Sequence, residues 1–404
     1  MVFGLISSFY YIVNSYNSMK YRRKHNDKSG DDFTAKDVTI VMPVYKEDPI
    51  VFEESVASAS QQGSQVYVLG DDCDEPYKSI AEKHGCAFIR VSPHRGKRGI
   101  LSYSMKIVKT PLVMFLDSDT VLDHGAVEDM IKYLEEDVGG VGTNISIFRN
   151  GHPVSYTSEF VERVREVIFK SMSRKSSVMV LDGRCALYRT NLVMPFLTSR
   201  EFQDNTVMGK KSVLGDDRQL TSYIIRSGYR AVKDYDVYAR TYQYSSFKKF
   251  FKQQIRWGRV GWTYFFKDIA SGSARKAGPL YTFNLIYMYL LPIFTAVIGI
   301  MTLIYVLPHI HILFYGVIPS MRADPYLIHR IVRDHRVPLL FVARSFVDFL
   351  TSASAVIFGV SISTTMKGEK AKVFAYGSIG LLMMFVSTIY ALFTFYKQDR
   401  WLTR

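Results

Sequence analysis

The fold is decided by the stretch Pro111-Leu112-Val113-Met114-Phe115-Leu116-Asp117-Ser118-Asp119-Thr120, in which an apolar run ends abruptly in two aspartates. Such a run, bounded by a proline and a polar break, predicts a buried strand. Residues two apart in a strand point the same way, so Asp117 and Asp119 are expected to converge at the carboxyl edge of a sheet, where ligands bind. Their hard oxygen atoms suit Mg²⁺ or Mn²⁺ carrying the diphosphate of a nucleotide. Taken alone, the stretch is explained equally well by an Asp-rich turn that follows a strand.

Strands and helices alternate through the first half of the chain. The pattern predicts strands at residues 38–44, 66–69, 87–91, 111–116 and 140–147, and helices at residues 53–61, 77–84, 96–108 and 123–136. This alternation is typical of an α/β fold with a parallel sheet between two layers of helices. Three strands end in polar tips, namely Tyr45-Lys46-Glu47-Asp48, Asp71-Asp72 and Asp117-Ser118-Asp119. Polar residues that recur at the carboxyl ends of strands indicate a ligand crevice.

Two further motifs open helices. The turn Pro93-His94-Arg95-Gly96-Lys97-Arg98 can present a helix amino terminus, together with Lys and Arg donors, to phosphate groups. A solvated basic turn is the alternative. The motif Gly215-Asp216-Asp217 begins a helix that is predicted to run to residue 225. One of its two acids is expected to cap the helix, which leaves the other for proton chemistry.

The charge balance narrows the class of protein. The 404-residue chain has a net charge of +14 and is 48% hydrophobic. Nucleic-acid binding is one explanation of such a charge, and a membrane protein with cytoplasmic Lys and Arg is the other. Long apolar runs in residues 279–396 favour the membrane protein, so no nucleic-acid partner is expected. The three cysteines lack metal-ligand spacing and indicate reduced thiols facing the cytosol.

Several segments are candidates for the membrane. Residues 1–19 predict an anchor helix whose carboxyl end lies in the cytosol, with an interfacial helix as the alternative. Residues 245–269 form a basic, aromatic amphipathic pattern typical of a helix lying on the bilayer surface. Residues 279–319 predict two spans, or one span and a re-entrant piece, and residues 338–361 and 373–396 predict two more. This arrangement places residues 367–370 outside and residues 397–404 in the cytosol.

Together these motifs resemble processive family-2 glycosyltransferases, the hyaluronan, chitin and cellulose synthases, and most of all the hyaluronan synthases. The motifs are, in order, Glu47-Asp48, Asp71-Asp72, His94-Arg95-Gly96-Lys97-Arg98, Asp117-Ser118-Asp119, Gly215-Asp216-Asp217 and Gln253-x-x-Arg256-Trp257. The tail Trp401-Leu402-Thr403-Arg404 is similar to a Trp-Gly-Thr-Arg gating segment in those synthases, with leucine in place of glycine. Asp182-Gly183-Arg184-Cys185-Ala186 departs from their glycine-rich loop at the acceptor end.

The resemblance covers residues 37–270 and implies a domain organisation. We expect a GT-A-like (Rossmann-like) α/β glycosyltransferase domain at residues 37–244, in the cytosol, and an interfacial amphipathic helix region with the QxxRW motif at 245–278. An α-helical transmembrane domain of about four helices would follow at residues 279–396, and a gating-like tail at 397–404. The protein would then be a multi-pass enzyme of the plasma membrane. It would polymerise sugar from UDP-sugar donors such as UDP-GlcNAc and UDP-GlcA, with inversion, onto a growing polysaccharide and translocate the product across the lipid bilayer.

The resemblance also implies roles for single residues. Asp217 would be the catalytic base with Asp216 beside it, and Asp119 would bind Mg²⁺ or Mn²⁺. Tyr45 and Asp72 would hold the uridine, and Trp257 would offer a flat face to a sugar ring. The full set expected to bind the nucleotide sugar is Tyr45, Glu47, Asp72, Lys97, Arg98, Asp117, Gln253, Arg256, Trp257, Trp401 and Arg404.

Other functions remain open at this point. Within the synthases, a chitin or poly-GlcNAc product is the alternative to hyaluronan. A non-processive transferase acting on a polyprenyl phosphate would share the aspartate motifs, but such enzymes generally lack QxxRW and the tail motif. From a different class, a transporter or channel with a nucleotide-sensing domain would not need a positioned base.

Overall fold

A mixed sheet of eight strands lies at the centre of the α/β domain, which we define as residues 33–246. The computed structural model describes residues 1–21, 33–174, 176–307 and 336–400. In spatial order the strands are β3-β2-β1-β4-β7-β6-β10-β5, and β8 and β9 form a separate hairpin. Their bounds are β1 Val38–Val44, β2 Gln65–Asp71, β3 Ala87–Val91, β4 Leu112–Leu116, β5 Thr120–Leu122, β6 Val138–Ile147, β7 Cys185–Arg189, β8 Thr206–Val207, β9 Lys210–Lys211 and β10 Arg230–Thr241.

The strand directions confirm half of the sequence-based expectation. Strands β3, β2, β1 and β4 run parallel, as predicted. The prediction of a parallel sheet is wrong beyond β4, because β7 is antiparallel to both β4 and β6, and β5 is antiparallel to β10. The connection from Leu116 to Thr120 is too short to cross the sheet, so the far strands must curl back for β5 to pair with β10. The sheet is therefore a half-barrel closed near the end of β4.

Apolar side chains cover both faces of the sheet. In β1, Ile40 and Met42 enter one core while Val41, between them, enters the other. Strand β4 is buried at all five positions, as expected for a strand with helices on both sides. Each such buried aliphatic side chain contributes about 1.5–3 kcal/mol to folding. The central strand therefore fixes where its polar tip must lie.

The helices of the described residues fall into two groups. Around the sheet lie α2 Pro49–Ser60, α3 Tyr77–Lys83, α4 Gly96–Ser104, α5 Ala126–Ile131, α6 Pro153–Ser173, α7 Thr190–Leu197, α8 Arg200–Gln203 and α9 Asp216–Arg226. The others are α1 Val2–Met19, α10 Phe247–Ala270, α11 Ser273–Ala277, α12 Pro279–Val306, α13 Arg336–Thr365 and α14 Lys370–Thr394.

Helix α1 packs against the later helices rather than standing apart. Its Asn14 donates a hydrogen bond of 3.0 Å to Asn284 of α12, and Tyr10 stacks on Tyr287 with ring centroids 3.8 Å apart. In the part of the chain that the structure describes, three segments are long and apolar enough to cross a membrane: Pro279–Ile304, Val342–Thr365 and Lys370–Thr394. The further span predicted before residue 319 falls largely outside the described residues.

The loop between α13 and α14 touches the α/β domain. Arg149 donates a hydrogen bond of 3.0 Å to the carbonyl of Gly368, and Tyr156 donates to the carboxylate of Glu369 at 3.1 Å. The sequence had predicted residues 367–370 to lie across the membrane from the catalytic residues. These contacts argue against that prediction, because they attach the loop to the α/β domain.

Candidate active site

The Asp117-Ser118-Asp119 turn lies directly after β4, at the predicted edge of the sheet. Its first residue is fixed by the backbone, since the Asp117 N–H donates to the carbonyl of Arg184 at 3.0 Å. The strand ends at Leu116, so the alternation rule used to align the two aspartates does not apply to them. Instead Asp117 accepts a hydrogen bond of 2.5 Å from Lys97, while Asp119 accepts one of 3.2 Å from the hydroxyl of Thr120.

Two carboxylates approach each other beside this turn. Burial and the nearby carboxylate of Glu47 raise the pKa of Asp119 above its ordinary value. Ser118 donates a long hydrogen bond of 3.4 Å to Glu47, which ties the end of β1 to the turn. Within the described residues, no group of three or more His, Cys, Asp and Glu side chains could hold a metal ion. Any cation here would therefore share two protein carboxylates with ligands from water or substrate.

Lys97 stands at the centre of the site. Its Nζ lies 2.5 Å from Asp117, 3.7 Å from Asp216 and 3.4 Å from the carbonyl of Gly183. Burial disfavours the charge on Lys97, but the carboxylates of Asp117 and Asp216 outweigh it and raise the pKa of Lys97. The ammonium group therefore stays charged at neutral pH, and it is only partly exposed, at 25%.

Asp216 and Asp217 are the first two residues of α9. Gly215 is the N-cap residue of the helix and has a φ of 70°, a conformation that favours glycine, and no side chain caps the helix. The expectation that one acid caps the helix is therefore wrong. Asp217 accepts hydrogen bonds from its neighbour Arg218 N–H at 2.7 Å and from Gly183 N–H at 3.4 Å. Burial, followed by the charge of Asp216, raises the pKa of Asp217 to about 6.

Gly183 lets these groups meet. A Cβ at this position would lie 3.0 Å from Nζ of Lys97 and 3.5 Å from Cβ of Asp217. A small cavity opens here, lined by Lys97, Leu101, Phe115, Asp182, Gly183, Ala186, Tyr188, Asp216, Asp217 and Leu220. The loop that departs from the glycine-rich pattern thus keeps its glycine where Asp217 and Lys97 converge.

The basic turn before α4 is held by a buried acid. Asp71, 3% exposed, accepts hydrogen bonds from the backbone N–H groups of Arg95 at 2.7 Å and Gly96 at 2.9 Å. His94 lies 2.9 Å from the same carboxylate, and Tyr45 packs on the His94 ring at 4.5 Å. Asp71 therefore positions the turn, a role that the sequence did not reveal because Asp71 and Asp72 look alike there.

Asp72 differs from its neighbour in both conformation and surroundings. It has a φ of 58° and an exposed side chain that accepts hydrogen bonds from Arg90 at 3.2 Å and Ser92 at 3.0 Å. These bonds lower the pKa of Asp72. Asp72 and Tyr45 thus lie at the same edge of the sheet, directly after β2 and β1, and their role in binding uridine stays a prediction.

Arg98 does not face the site. It is 7% exposed, and it donates to the carbonyl of Phe202 at 3.1 Å, to Gln219 at 2.5 Å and to the carbonyl of Leu214 at 2.6 Å. The prediction that Arg98 binds the nucleotide sugar is therefore wrong. The guanidinium of Arg98 thus links α4 to the segment that precedes Asp217.

A buried ionic cluster, missed by the sequence-based reasoning, lies next to Trp257. The cluster consists of Glu162, Arg165, Asp182, Arg184 and Lys233. Although burial opposes ionisation, Arg165, Lys233 and Arg184 hold the pKa of Asp182 well below its usual range.

The cluster meets the tryptophan through two cations. The guanidinium groups of Arg165 and Arg184 lie 5.6 and 5.7 Å from the centroid of the Trp257 ring. The available sequence signal is the set of charged residues among the apolar positions of α6, because charged side chains are rarely buried without a partner.

The other QxxRW residues lie on the same face of α10. Gln253 accepts a hydrogen bond of 3.1 Å from Gln243. Burial lowers the pKa of Arg256, whereas the carboxylates of Asp217 and Asp216 favour its charge. Arg256 therefore lies close enough to these acids for their charges to act on it.

The end of the described chain is anchored to the segment that leads into α9. Gln398, 2% exposed, accepts hydrogen bonds of 2.9 Å from the hydroxyl of Ser212 and from the N–H of Val213, and it donates to Thr263 at 2.8 Å. Residues 212 and 213 shortly precede the Gly215 turn. Trp401 and Arg404, predicted to close over the nucleotide, lie outside the described residues.

The chain is similar in sequence and in fold to known proteins. A family described as "Glycosyltransferase like family 2" matches residues 35–259. An N-acetylglucosaminyltransferase of Azorhizobium caulinodans is 26% identical over 237 residues, which are 55% of this chain and 59% of that protein. Hyaluronan synthase 3 of Xenopus laevis is 31% identical over 157 residues, which are 36% of this chain and 27% of that protein. The chain thus spans well under two thirds of the length of these curated relatives.

Among solved structures, the likeness extends over most of the chain. The mannosyltransferase PcManGT from Pyrobaculum calidifontis, in complex with GDP-Man and Mn²⁺, has a TM-score of 0.52 and 15% sequence identity. The match covers 90% of this chain and 96% of that one. At this identity the likeness concerns the fold alone, and it confirms the GT-A-like α/β architecture predicted from the sequence.

Proposed function

This chain belongs to glycosyltransferase family 2, and from that premise we propose that it is a membrane-embedded, inverting enzyme that transfers sugar from a UDP-sugar to a growing polysaccharide. Hexosyl transfer follows from the family. The donor, the processive mode and translocation of the product across the plasma membrane are parts of the proposal, as is a cytoplasmic catalytic domain. Support for the polymer comes from the QxxRW motif and from the relatives, whose names are N-acetylglucosaminyltransferase and hyaluronan synthase.

The observation that carries the proposal is the environment of Asp217. Its pKa of about 6 lies just below neutral pH, which is where a general base combines sufficient ionisation with sufficient basicity. We assign it to the acceptor hydroxyl, whose proton it would take as the oxygen attacks the anomeric carbon. Asp216 supports this role by raising the pKa of its neighbour, and Gly183 keeps the approach open.

The leaving diphosphate needs positive charge. Lys97 retains its proton at neutral pH and lies 3.7 Å from Asp216, so it can act next to the reacting centre. Arg256 is the second candidate cation, with Asp117 holding Lys97 in place. Fixed cations where negative charge develops are usually the largest contribution to catalysis.

The carboxylates of Asp119 and Glu47 fit a divalent cation. Both residues are partly buried and close enough for Glu47 to raise the pKa of Asp119, so a hard cation that prefers oxygen ligands would relieve the repulsion between them. We propose that Asp119 holds Mg²⁺ or Mn²⁺ with help from Glu47. The ion would supply Lewis-acid stabilisation to the diphosphate.

The acceptor side is assigned to the tryptophan. The Trp257 ring lies beside the cluster of Arg165 and Arg184, and its flat face suits an apolar sugar face. Gln253 belongs to the same wall of the site. Tyr45 and Asp72 are proposed to hold the uridine at the opposite end.

The tail is proposed to close the site. Gln398 anchors the chain next to residues 212 and 213, so the six residues that follow start beside the segment that leads into α9. On this basis we retain the proposal that Trp401 packs on the nucleotide and that Arg404 reaches the diphosphate. Closure would exclude water and suppress hydrolysis of the donor.

The experiment is a donor screen with product sizing. Purified full-length protein is incubated with radiolabelled UDP-GlcNAc, UDP-GlcA or both, in the presence of Mg²⁺ or Mn²⁺, and products are separated by size and by extraction into organic solvent. Long polymer that requires both donors is the expected result, and polymer from UDP-GlcNAc alone would identify a poly-GlcNAc synthase. A single-sugar lipid in the organic phase would contradict the proposal and indicate a polyprenyl-phosphate transferase. The Asp217→Asn variant is the matched control for contaminating activity.

A further inference from the structure

Helix α14 is seated on the α/β domain and α10 along its whole length. Near its start, the helix has no room for a Cβ at Gly377, where one would collide with the ring of Phe160, and one at Gly380 would lie 2.8 Å from Thr157. Further along, the indole of Trp262 donates to the carbonyl of Thr388 at 2.9 Å. The positions that face α6 and α10 are buried, and they are Val373, Gly377, Gly380, Ser387, Ala391 and Thr394.

Both ends of the helix are bonded to the same side. The loop before α14 is hydrogen-bonded to Arg149 and Tyr156. Gln398, which lies shortly after the end of α14, is hydrogen-bonded to Ser212 and Thr263. A helix of 25 residues is about 37 Å long, which exceeds the ~30 Å of a bilayer's hydrocarbon core. If α14 crossed the membrane, the domain that touches both of its ends would have to lie inside the hydrocarbon.

We propose that α14, although long and apolar enough to span, lies along the membrane-facing surface of the enzyme with both ends on the side of the α/β domain. The contrast with α12 supports this placement. Helix α12 leaves the domain after Gly278, which lies close to Ser176, and its residues Phe294 and Ile304 are 51% and 66% exposed. Helix α14 is buried at both ends, with Val373 at 0% and Thr394 at 8%.

The outward face of α14 suits a lipid surface. Leu382 and Phe393 are 64% and 70% exposed, and cationic residues flank the apolar stretch at both ends, namely Lys370, Lys372, Lys397 and Arg400. An apolar face bounded by lysine and arginine is the pattern of a helix that lies in the interface of a membrane with anionic lipids. The small residues of the opposite face let the helix approach α6 and α10 closely, which keeps it on the enzyme.

The test is the side from which the two ends react. Single cysteines are placed at the exposed positions Lys367 and Asp399 in a Cys73→Ser background, since Cys86 and Cys185 are buried. Sealed vesicles of either orientation are treated with a membrane-impermeant maleimide, with Lys248→Cys on α10 as the reference for the α/β side. Both cysteines should react from the same side as the reference. Reaction of Lys367→Cys from the opposite side, or only after detergent is added, would overturn the proposal.

A disulfide trap provides a second readout that does not depend on sidedness. Thr157→Cys with Gly380→Cys should cross-link rapidly under mild oxidation, because Cβ at position 380 would lie 2.8 Å from the Thr157 methyl group. The matched pair Thr157→Cys with Leu381→Cys should not, since Leu381 faces outward and is 47% exposed. Equal cross-linking of the two pairs would contradict the seating of α14. Neither readout involves sugar transfer, so failure here leaves the proposed function standing, and the reverse is also true.

Discussion

Transfer by the wild-type enzyme should fall about tenfold between pH 7 and pH 5. With a pKa of about 6, Asp217 is roughly 90% ionised at pH 7 and roughly 10% ionised at pH 5. A carboxyl group with the ordinary pKa near 3.8 would remain almost fully ionised at pH 5 and would give no fall in the rate of transfer. The acid limb of kcat/KM therefore reports the burial and the Asp216 charge that raise this pKa.

Three variants separate the causes of this shift. Asp216→Asn removes the neighbouring charge and should move the acid limb to lower pH. Lys97→Met removes the cation that favours ionised Asp217 and should move the limb to higher pH. Asp217→Asn should lose the limb altogether and reduce turnover by roughly 10² or more, with UDP-sugar binding intact.

The stability of the Asp217→Asn variant distinguishes a catalytic role of Asp217 from a structural one. The pKa of Asp217 is higher in the folded protein than in the unfolded chain. Protonated Asp217 therefore stabilises the folded state at pH values below the unfolded-state pKa, and this stabilisation is lost as the pH rises through about 6. A neutral asparagine should therefore leave Tm at pH 7 unchanged or higher. The assay is UDP release from pH 4.5 to 8 with Tm measured at each pH. A flat wild-type profile down to pH 5, or an acid limb that persists in Asp217→Asn, would refute the assignment.

Three other predictions follow from the site. Asp119→Asn should abolish transfer and remove the Mn²⁺ dependence of UDP binding measured by calorimetry, and a variant that turns over normally in EDTA would show that Asp119 is no metal ligand. Arg98→Met should lower the free energy of unfolding by about 3 kcal/mol or more, because it leaves buried carbonyl groups without hydrogen-bond donors. The KM for the UDP-sugar, measured on the folded fraction, should stay unchanged. A large change in KM at full stability would show that Arg98 belongs to the binding site. A chain ending at Gln398 should fold and insert normally but lose polymer synthesis, and full synthase activity would remove the gating role of Trp401 and Arg404.

Local patterns predicted the parallel half of the sheet well. The apolar runs that form β1 and β4 can be recognised in the residues themselves, so the positions of these two strands followed directly. Strand β10 was missed because Lys233, Asp234 and Asp236 interrupt its apolar pattern. Lys233 becomes buried through an ion pair with Asp182, which is distant in sequence. The curl that brings β5 to β10 depends on that missed strand, which is why the sheet was expected to be parallel throughout.

The site shows the same division between local and long-range information. Motif spacing brought together Lys97, Asp117 and Asp217, since each lies at a strand end or a helix start. It could not distinguish Asp71 from Asp72, because one is buried against the turn and the other is exposed, and only the packed structure sets that difference. Arg98 was misassigned for a similar reason, since a helical position one residue after Lys97 points to a different side.

The anomeric configuration of the new linkage tests the proposed chemistry most directly. UDP-hexoses carry an α-linked sugar, and a single displacement by an acceptor oxygen that Asp217 deprotonates must invert that centre. Proton NMR of polymer made from UDP-GlcNAc and UDP-GlcA by the purified enzyme should show β-linkages throughout. α-Linked product would contradict inversion at this site and with it the role of Asp217 as the base.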